Sequence, residues 1–359
     1  MDLVQTVESR QRLVQRHTTS TLIRSELVCR SFKTAISLAY INIGRALIVH
    51  SVTHSVMFHH FHNHDHPMGQ GSLSQDEFGF MLDWLSSSYN LISADCYFQK
   101  AINTELKSND ICLSFDDALL CQYDVAVPVL NARRLKAFFF VYSSALSGEP
   151  DFLEIFRYFR TTAYSSVESF YEAFFLACEA KHEKDYAPGK TQFSALDYLK
   201  DFPFYTDGDR WFRYLRDMIL GKERYESLMI GLMNDTGFDI EKAMGKLWVT
   251  DKQIRTMSEQ GHIIGLHSYS HPTTMQNLSK AKQTAEYCNN LSHLEKIIGD
   301  TPLQAMSHPC GNYNQDTLDI LRGMGIKLGF RSNMGVKEIK SLLEIPREDH
   351  ANVAREMGL

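Results

Sequence analysis

Short apolar runs that end in histidine or aspartate recur along this chain of 359 residues, and they constrain its fold more than any other feature. Ile263-Ile264-Gly265-Leu266 runs into His267-Ser268-Tyr269-Ser270-His271-Pro272. Ile111-Cys112-Leu113-Ser114-Phe115 runs into Asp116 and Asp117. Val56-Met57-Phe58 leads to His59 and His60, within a strand read over residues 56–61, and residues 303–307 lead to His308. Residues 137–142, 326–330 and 343–345 read as further strands. Helical signals lie between them. Capping boxes stand at Ser74–Glu77 and Thr250–Gln253. Phe78, Met81, Leu82 and Leu85 recur at helical spacing. A helix is expected over residues 125–134, and a long one with Ala281, Ala285, Cys288, Leu291, Leu294 and Ile298 on one face. Alternation of strand and helix implies an α/β fold, a parallel sheet covered by helices. In a parallel barrel the C-terminal strand ends converge on the active site, and every one of these polar clusters follows a strand.

Residues 149–245 interrupt the alternation. They carry Phe152, Phe156, Tyr158, Phe159, Phe170, Tyr171, Phe174 and Phe175, then Trp211, Phe212, Tyr214 and Leu215. This reads as a helical insertion packed by its own aromatic stripe, placed where it can act as a lid. The expected organisation is a first barrel part at 57–148, the insertion at 149–245 and a second barrel part at 246–359. Residues 1–56 are rich in Arg, Ser and Thr and poor in acids. They read as an N-terminal extension outside the core, with Met57 as the natural start, or as a segment resembling an organelle transit peptide.

Composition excludes several classes. A formal net charge of -6 without a basic stripe argues against nucleic acid. No apolar run reaches the roughly 18 residues of a membrane span, and no secretory pattern opens the chain. A cytoplasmic setting is expected. The 7 cysteines, Cys29, Cys96, Cys112, Cys121, Cys178, Cys288 and Cys310, are odd in number and scattered, which suits free thiols.

His267 and His271, four residues apart, can turn both imidazoles toward one point. A catalytic zinc keeps three protein ligands and an open position for water. The Asp116/Asp117 pair supplies a carboxylate ligand and leaves a second carboxylate as base. Zinc is the preferred metal; cobalt, nickel and iron accept the same donors. A bound water can have its pKa lowered to about 7, which suits hydrolysis of an amide or ester. The same triad serves non-haem iron oxygenases, but those are usually built on antiparallel sheets. His62, His64 and His66 read as a polar loop.

These residues resemble the polysaccharide deacetylases, the carbohydrate esterase family 4 or NodB-homology domain. Leu113-Ser114-Phe115-Asp116-Asp117 matches the family's first motif, and His267-Ser268-Tyr269-Ser270-His271-Pro272 its second. Ser307-His308-Pro309-Cys310-Gly311-Asn312-Tyr313-Asn314 is similar to the third, and Phe58-His59-His60-Phe61 to the aromatic–His pair that opens many members. The resemblance implies a distorted (β/α) barrel, with Asp117, His267 and His271 as metal ligands and Asp116 as the catalytic base. It implies Pro309, Cys310, Gly311, Asn312 and Tyr313 along the sugar groove, with a backbone N–H at the oxyanion and His59 nearby. Arg347 resembles an arginine that steadies the base. The late histidine motif that supplies the acid is not evident, so His308 and His350 are the candidates. Ala118 stands where glycine is usual. The implied substrate is an N-acetylated sugar or glycan, with acetate released. An inactive carbohydrate-binding relative and an allantoinase-like cyclic amide hydrolase are the alternatives.

Overall fold

The computed structural model describes residues 52–194, 196–200, 205–336 and 338–358. The extension expected at 1–56 and Cys29 lie outside these residues, except for the last few positions of that extension. Among the described residues the strands are β1 (His54–Phe58), β2 (Asn90–Leu91), β3 (Asp110–Phe115), β4 (Phe138–Val141), β5 (Ile263–Leu266), β6 (Ala305–Ser307), β7 (Leu328–Phe330) and β8 (Arg347–Asp349). They pair in parallel in the order β7-β6-β5-β4-β3-β1-β8, with β2 added to β3. The two edges nearly meet. Ile345 bridges Phe330 of β7, and Arg347, two residues on, pairs with Ser55 of β1. One short segment therefore all but closes the barrel, as the sequence led us to expect.

Successive strand residues point to opposite faces, and this period of two sorts the two packing layers. Cys112, Phe138, Phe140, Ala305, Leu328, Phe330 and Ile345 form one buried cluster, floored by Tyr97 and Phe98 of a helix. The Phe138 and Phe330 rings are 5.0 Å apart although β4 and β7 are not neighbours. This cluster is therefore the barrel interior. The alternate positions, Val56, Phe58, Leu113, Phe115, Phe139 and Val141, join the larger cluster under the outer helices.

Those helices are α1 (Gln75–Ser88), α2 (Ala94–Ile102) and α3 (Val127–Ala132) in the first part. The insertion holds α4 (Phe152–Thr162), α5 (Val167–Ser194, broken at His182), α6 (Asp207–Tyr214), α7 (Gly221–Asp235) and α8 (Ile240–Leu247). The second part adds α9 (Asp251–Glu259), α10 (Lys280–Ile298), α11 (Gln315–Gly323) and α12 (His350–Met357). Both capping boxes form: Ser74 with Glu77 opens α1, and Thr250 with Gln253 opens α9. Inside the insertion, Phe159, Phe170, Phe174 and Phe212 are buried and meet edge to face.

Four expectations change. β1 begins at His54, ahead of Met57, and Ser55 on its inner face donates to Ser114 Oγ at 2.9 Å. Residues 54–56 are thus barrel, not extension. The helix expected over 125–134 is a wide π turn, Gln122–Ala126, followed by a short α3. Gln122 spends its side-chain amide on the carbonyls of His59 and Asp116, which ties that turn to two strand ends. The last strand is β8, Arg347–Asp349, not residues 343–345. Its charged sequence hides it from any apolar pattern. Finally, α10 turns Gln283, Tyr287, Asn290, Leu294 and Ile297 inward and leaves Ala281, Ala285 and Cys288 exposed. The polar members win because they hold the loops above the barrel.

Gly265 on β5 marks the tightest approach. A Cβ there would lie 2.7 Å from the Ala305 carbonyl oxygen and 2.7 Å from the Phe140 ring. Gly265→Ala should therefore lower stability by about 2–3 kcal/mol. Urea unfolding checks it: the midpoint should fall with the slope unchanged.

Candidate active site

The inner-face rows run upward into the site. Cys112 and Ser114 on β3 continue to Asp116; Gly265 on β5 continues to His267; Ser55 and Met57 on β1 continue to His59; Ile345 continues to Arg347. Period alone brings those four side chains over the barrel mouth. Asp117 falls on the wrong parity and His271 lies five residues past the end of β5, and the backbone turns to bring both in. Asp117 and Ala118 adopt φ 76° and 54°, and Ser268 and His271 adopt φ 67° and 51°. Left-handed backbone is unfavourable for such residues by about 1–2 kcal/mol each. Strain of this kind persists where the surroundings over-determine the conformation, typically at functional sites.

The surroundings do so here. Asn290 of α10 accepts from the His267 amide at 3.0 Å and donates to Val141 O at 2.9 Å and Ser143 Oγ at 2.7 Å. Glu286 accepts the amides of Tyr269 and Ser270 at 3.0 and 2.8 Å. Ser268 Oγ accepts the His271 amide at 3.1 Å. Periodicity gave no hint of Glu286 and Asn290, because bracing a loop leaves no apolar signature.

Asp117, His267 and His271 place one donor atom each within 4.8 Å of one another, and all three residues are buried. His267 Nε2 lies 3.4 Å, and His271 Nε2 3.5 Å, from Asp117 Oδ1. His267 Nδ1 faces the Ser307 carbonyl at 2.9 Å. A carbonyl only accepts, so Nδ1 carries the proton and Nε2 offers its lone pair toward Asp117. Asp117 Oδ1 is buried and has no hydrogen-bond partner. A lone pair aimed at an orphaned carboxylate oxygen is unfavourable unless a cation sits between them. The donor set, one carboxylate and two imidazoles, fits a divalent metal with open positions. Burial raises the carboxyl pKa of Asp117; positive charge placed among His271, His267 and His59, on their rings or on a cation, lowers it far below the usual range.

Asp116 is held differently. Arg347 Nη1 and Nη2 donate to its two oxygens at 2.7 Å each, and both side chains are buried. Arg347 Nη2 also donates to Ser307 Oγ at 2.7 Å, and Ser307 donates to Asp116 Oδ2 at 3.2 Å. Arg347 Nε reaches the Arg331 carbonyl. Burial works to raise the Asp116 pKa; Arg347 outweighs it and keeps the carboxylate ionised.

One cavity of ≈ 950 Å³ opens over this cluster. Asp116, Asp117, His267, His271, Arg347 and His59 line it, as does Cys310. His59 Nε2 stands 3.9 Å from Asp117 Oδ2. The rest of the expected groove is not on the wall. Gly311 (φ 68°) packs against Ser332, where a Cβ would meet Oγ at 2.0 Å. Asn312 donates to Thr273 O at 2.7 Å, and Tyr313 donates to Glu344 at 2.7 Å. Pro309 is buried. These four shape the loop and leave Cys310, at φ 50°, to face the cavity.

His308, a candidate for the acid, does not line the cavity. It follows inner-face Ser307, so the pleat sends it outward. It is fully buried, stacks on Tyr313 with centroids 4.0 Å apart, and its Nε2 donates to Leu343 O at 2.9 Å. His350 does border the cavity, but its ring nitrogens face the carbonyls of Met57 and Gly71 at 3.2 and 2.7 Å.

Residues 229–329 match the family model described as Polysaccharide deacetylase. Similar solved structures include IcaB from Ammonifex degensii, 14% identical with a TM-score of 0.52, covering 86% of this chain and 96% of that one. A Streptococcus pyogenes deacetylase, PplD, in complex with acetate is 18% identical with a TM-score of 0.47, over 83% of this chain and 91% of that one. A de-N-acetylase from Aggregatibacter actinomycetemcomitans is 16% identical with a TM-score of 0.48, over 82% and 93%. No curated protein matches the chain. Identities this low speak to fold alone, and IcaB carries that point. Residues 229–329 thus carry the sequence match to the polysaccharide deacetylases, and the chain shares its barrel fold with IcaB. Among the described residues no helix is long and apolar enough to cross a membrane.

Burial pushes the His308 pKa down from 6.5 to about 3. Its neutral form is favoured by folding, so its contribution to stability is complete above pH 6.5 and is lost as pH falls toward 3. In His308→Phe, the stability difference from wild type should change between pH 5 and 6.5, wild type gaining as pH rises by at most about 1.4 kcal/mol per unit, and flatten above 7. Urea titrations across that range test it. A flat difference would mean that the imidazole is not buried neutral.

Proposed function

We propose that this chain is a divalent-metal-dependent deacetylase that removes the acetyl group of an N-acetylated sugar and releases acetate. The observation that carries the reading is the convergence of Asp117, His267 and His271 within 4.8 Å around an orphaned carboxylate oxygen. In this reading those three hold the cation, with zinc preferred and cobalt, nickel or iron compatible. A metal bound there would acidify a water and polarise the acetamido carbonyl.

The protein's own groups divide the remaining work. Asp116 takes the proton from the attacking water. Arg347 holds both of its oxygens, so the carboxylate has one orientation and stays ionised. Oδ2 accepts from both Arg347 and Ser307, whereas Oδ1 accepts from Arg347 and keeps a lone pair for the incoming proton. In the Gly311 turn, the amides of Gly311 and Asn312 are spent on the carbonyls of His308 and Pro309. The Cys310 amide is the donor we assign to the developing oxyanion.

The amine must leave protonated. Of the imidazoles on the cavity wall outside the ligand pair, His60 is held by Glu154 at 2.8 Å and His350 by two carbonyls. His59 has no such restraint among the described residues and lies beside Asp117. We assign the proton transfer to the departing nitrogen to His59.

Asp116→Asn should lower turnover at least about a hundredfold while metal content, read by elemental analysis, stays at one ion per chain. Acetate release that survives this change would remove Asp116 from the chemistry. Sugar binding by the metal-loaded wild type with no acetate released from any N-acetyl sugar would favour an inactive binding relative instead. His59→Gln should lower kcat by at least about tenfold with metal content unchanged and KM moving little; full kcat would return the acid role to another group.

A further inference from the structure

The cavity has a second wall, built by the insertion, that the chemistry above does not use. Arg157 and Arg160 on α4, Arg213 on α6 and Arg216 in the π turn after it all face the cavity that contains Asp117. Each pair is spaced three apart, so each lies on one helix face. In a chain of net charge -6, four guanidinium groups on one wall need an explanation.

Their partners account for half of the charge. Arg157 stands beside Glu154 and His60 and donates to Gln70 O at 3.0 Å. Arg216 pairs with Asp217 at 2.6 and 2.9 Å. Arg160 and Arg213 have no carboxylate within ion-pair distance among the described residues. Arg160 lies over the Phe212 ring at 5.6 Å and Arg213 over Tyr205 at 4.1 Å. Rings so placed support the flat face of a guanidinium and leave its in-plane N–H groups to bind something else. Arg213 Nε is buried and has no partner. An unsatisfied buried donor is unfavourable, and a ligand that accepts from it would recover that.

Four guanidinium groups against Glu154 and Asp217 leave two positive charges. A neutral glycan offers hydrogen-bond acceptors but no charge to balance them. A pyrophosphate diester, or a phosphate monoester, carries about two negative charges and matches the forked donors of arginine. The cavity is also at the upper end of what a small-molecule site encloses, about 300–1,000 Å³, and so has room beyond one sugar ring. We propose that the insertion wall is an anion subsite, centred on Arg160 and Arg213, that takes the phosphate or pyrophosphate of a phosphorylated N-acetylamino sugar. Its sugar half rests on the deacetylase reading; its anion half does not.

The test uses the metal-loaded full chain and its Arg160→Gln/Arg213→Gln variant. Inorganic pyrophosphate, titrated by calorimetry, should bind the variant at least tenfold more weakly; a smaller difference overturns the subsite. Chelation of the bound metal by pyrophosphate would affect both proteins alike and so cancels. Acetate release is then compared on a nucleoside diphosphate N-acetylhexosamine, a short-chain prenyl diphosphate N-acetylhexosamine and the neutral methyl glycoside. Wild-type kcat/KM should favour at least one diphosphate substrate over the neutral one by tenfold or more, and the better of the two identifies the carrier. A smaller preference overturns the substrate assignment, and this arm needs no variant to fold. If no substrate releases acetate, the deacetylase reading fails, and the pyrophosphate titration still decides the subsite.

Discussion

The buried pair of Arg347 and Asp116 joins the fold to the site. Arg347 begins the strand that nearly closes the barrel; Asp116 follows the central strand β3. Taking two such charges out of water costs several kcal/mol per ion, and their attraction offsets this only when geometry is good and the other donors are satisfied. Both conditions hold. The contact is bidentate, and Ser307, Ser114 and the Arg331 carbonyl take up the remaining N–H groups. A hydrophobic pair could close a barrel as firmly. It could not keep a carboxylate ionised at the mouth while fixing its direction.

The metal-ligand candidates illustrate a different balance. His267 arrives by regular strand geometry, whereas Asp117 and His271 arrive through left-handed backbone at non-glycine residues. The strain is held by a polar scaffold behind the loops: Asn290, Glu286, Ser268 and the side chain of Gln122. Stability is thereby given up locally, and helix α10 buries polar residues where an apolar stripe would otherwise face the sheet. Ala118 at φ 54° sits where the resembling family usually has glycine, so this chain accepts additional backbone strain beside its proposed ligand.

The insertion meets the barrel on chemical terms. Its aromatics pack on one another and join the larger buried cluster of the barrel, and its arginines are presented to the cavity over Phe212 and Tyr205. One wall of the cavity thus offers a carboxylate and imidazoles for a cation, the other guanidinium groups for an anion. His60 bonds Glu154, and Arg157 of the insertion wall lies beside that pair.

What could be read from the chain alone follows from periodicity. A period of two with polar residues at the run ends placed Asp116, His267 and His59 at one end of a parallel barrel, and the capping boxes marked two helices. Tertiary structure decided what periodicity does not encode. His308 faces outward because it is one residue past an inner-face serine. Strand β8 is charged and begins with Arg347, whose partner is a buried carboxylate, so no apolar pattern marks it. The buried face of α10 is polar because loops, not strands, lie beneath part of it. The arginines of the insertion are scattered over some sixty residues of sequence, and only the packing of α4 against the helices that follow brings them to one wall. Local pattern specifies which way a side chain points from its own element; which elements meet, and so which charges must find partners, is settled by packing over the whole chain.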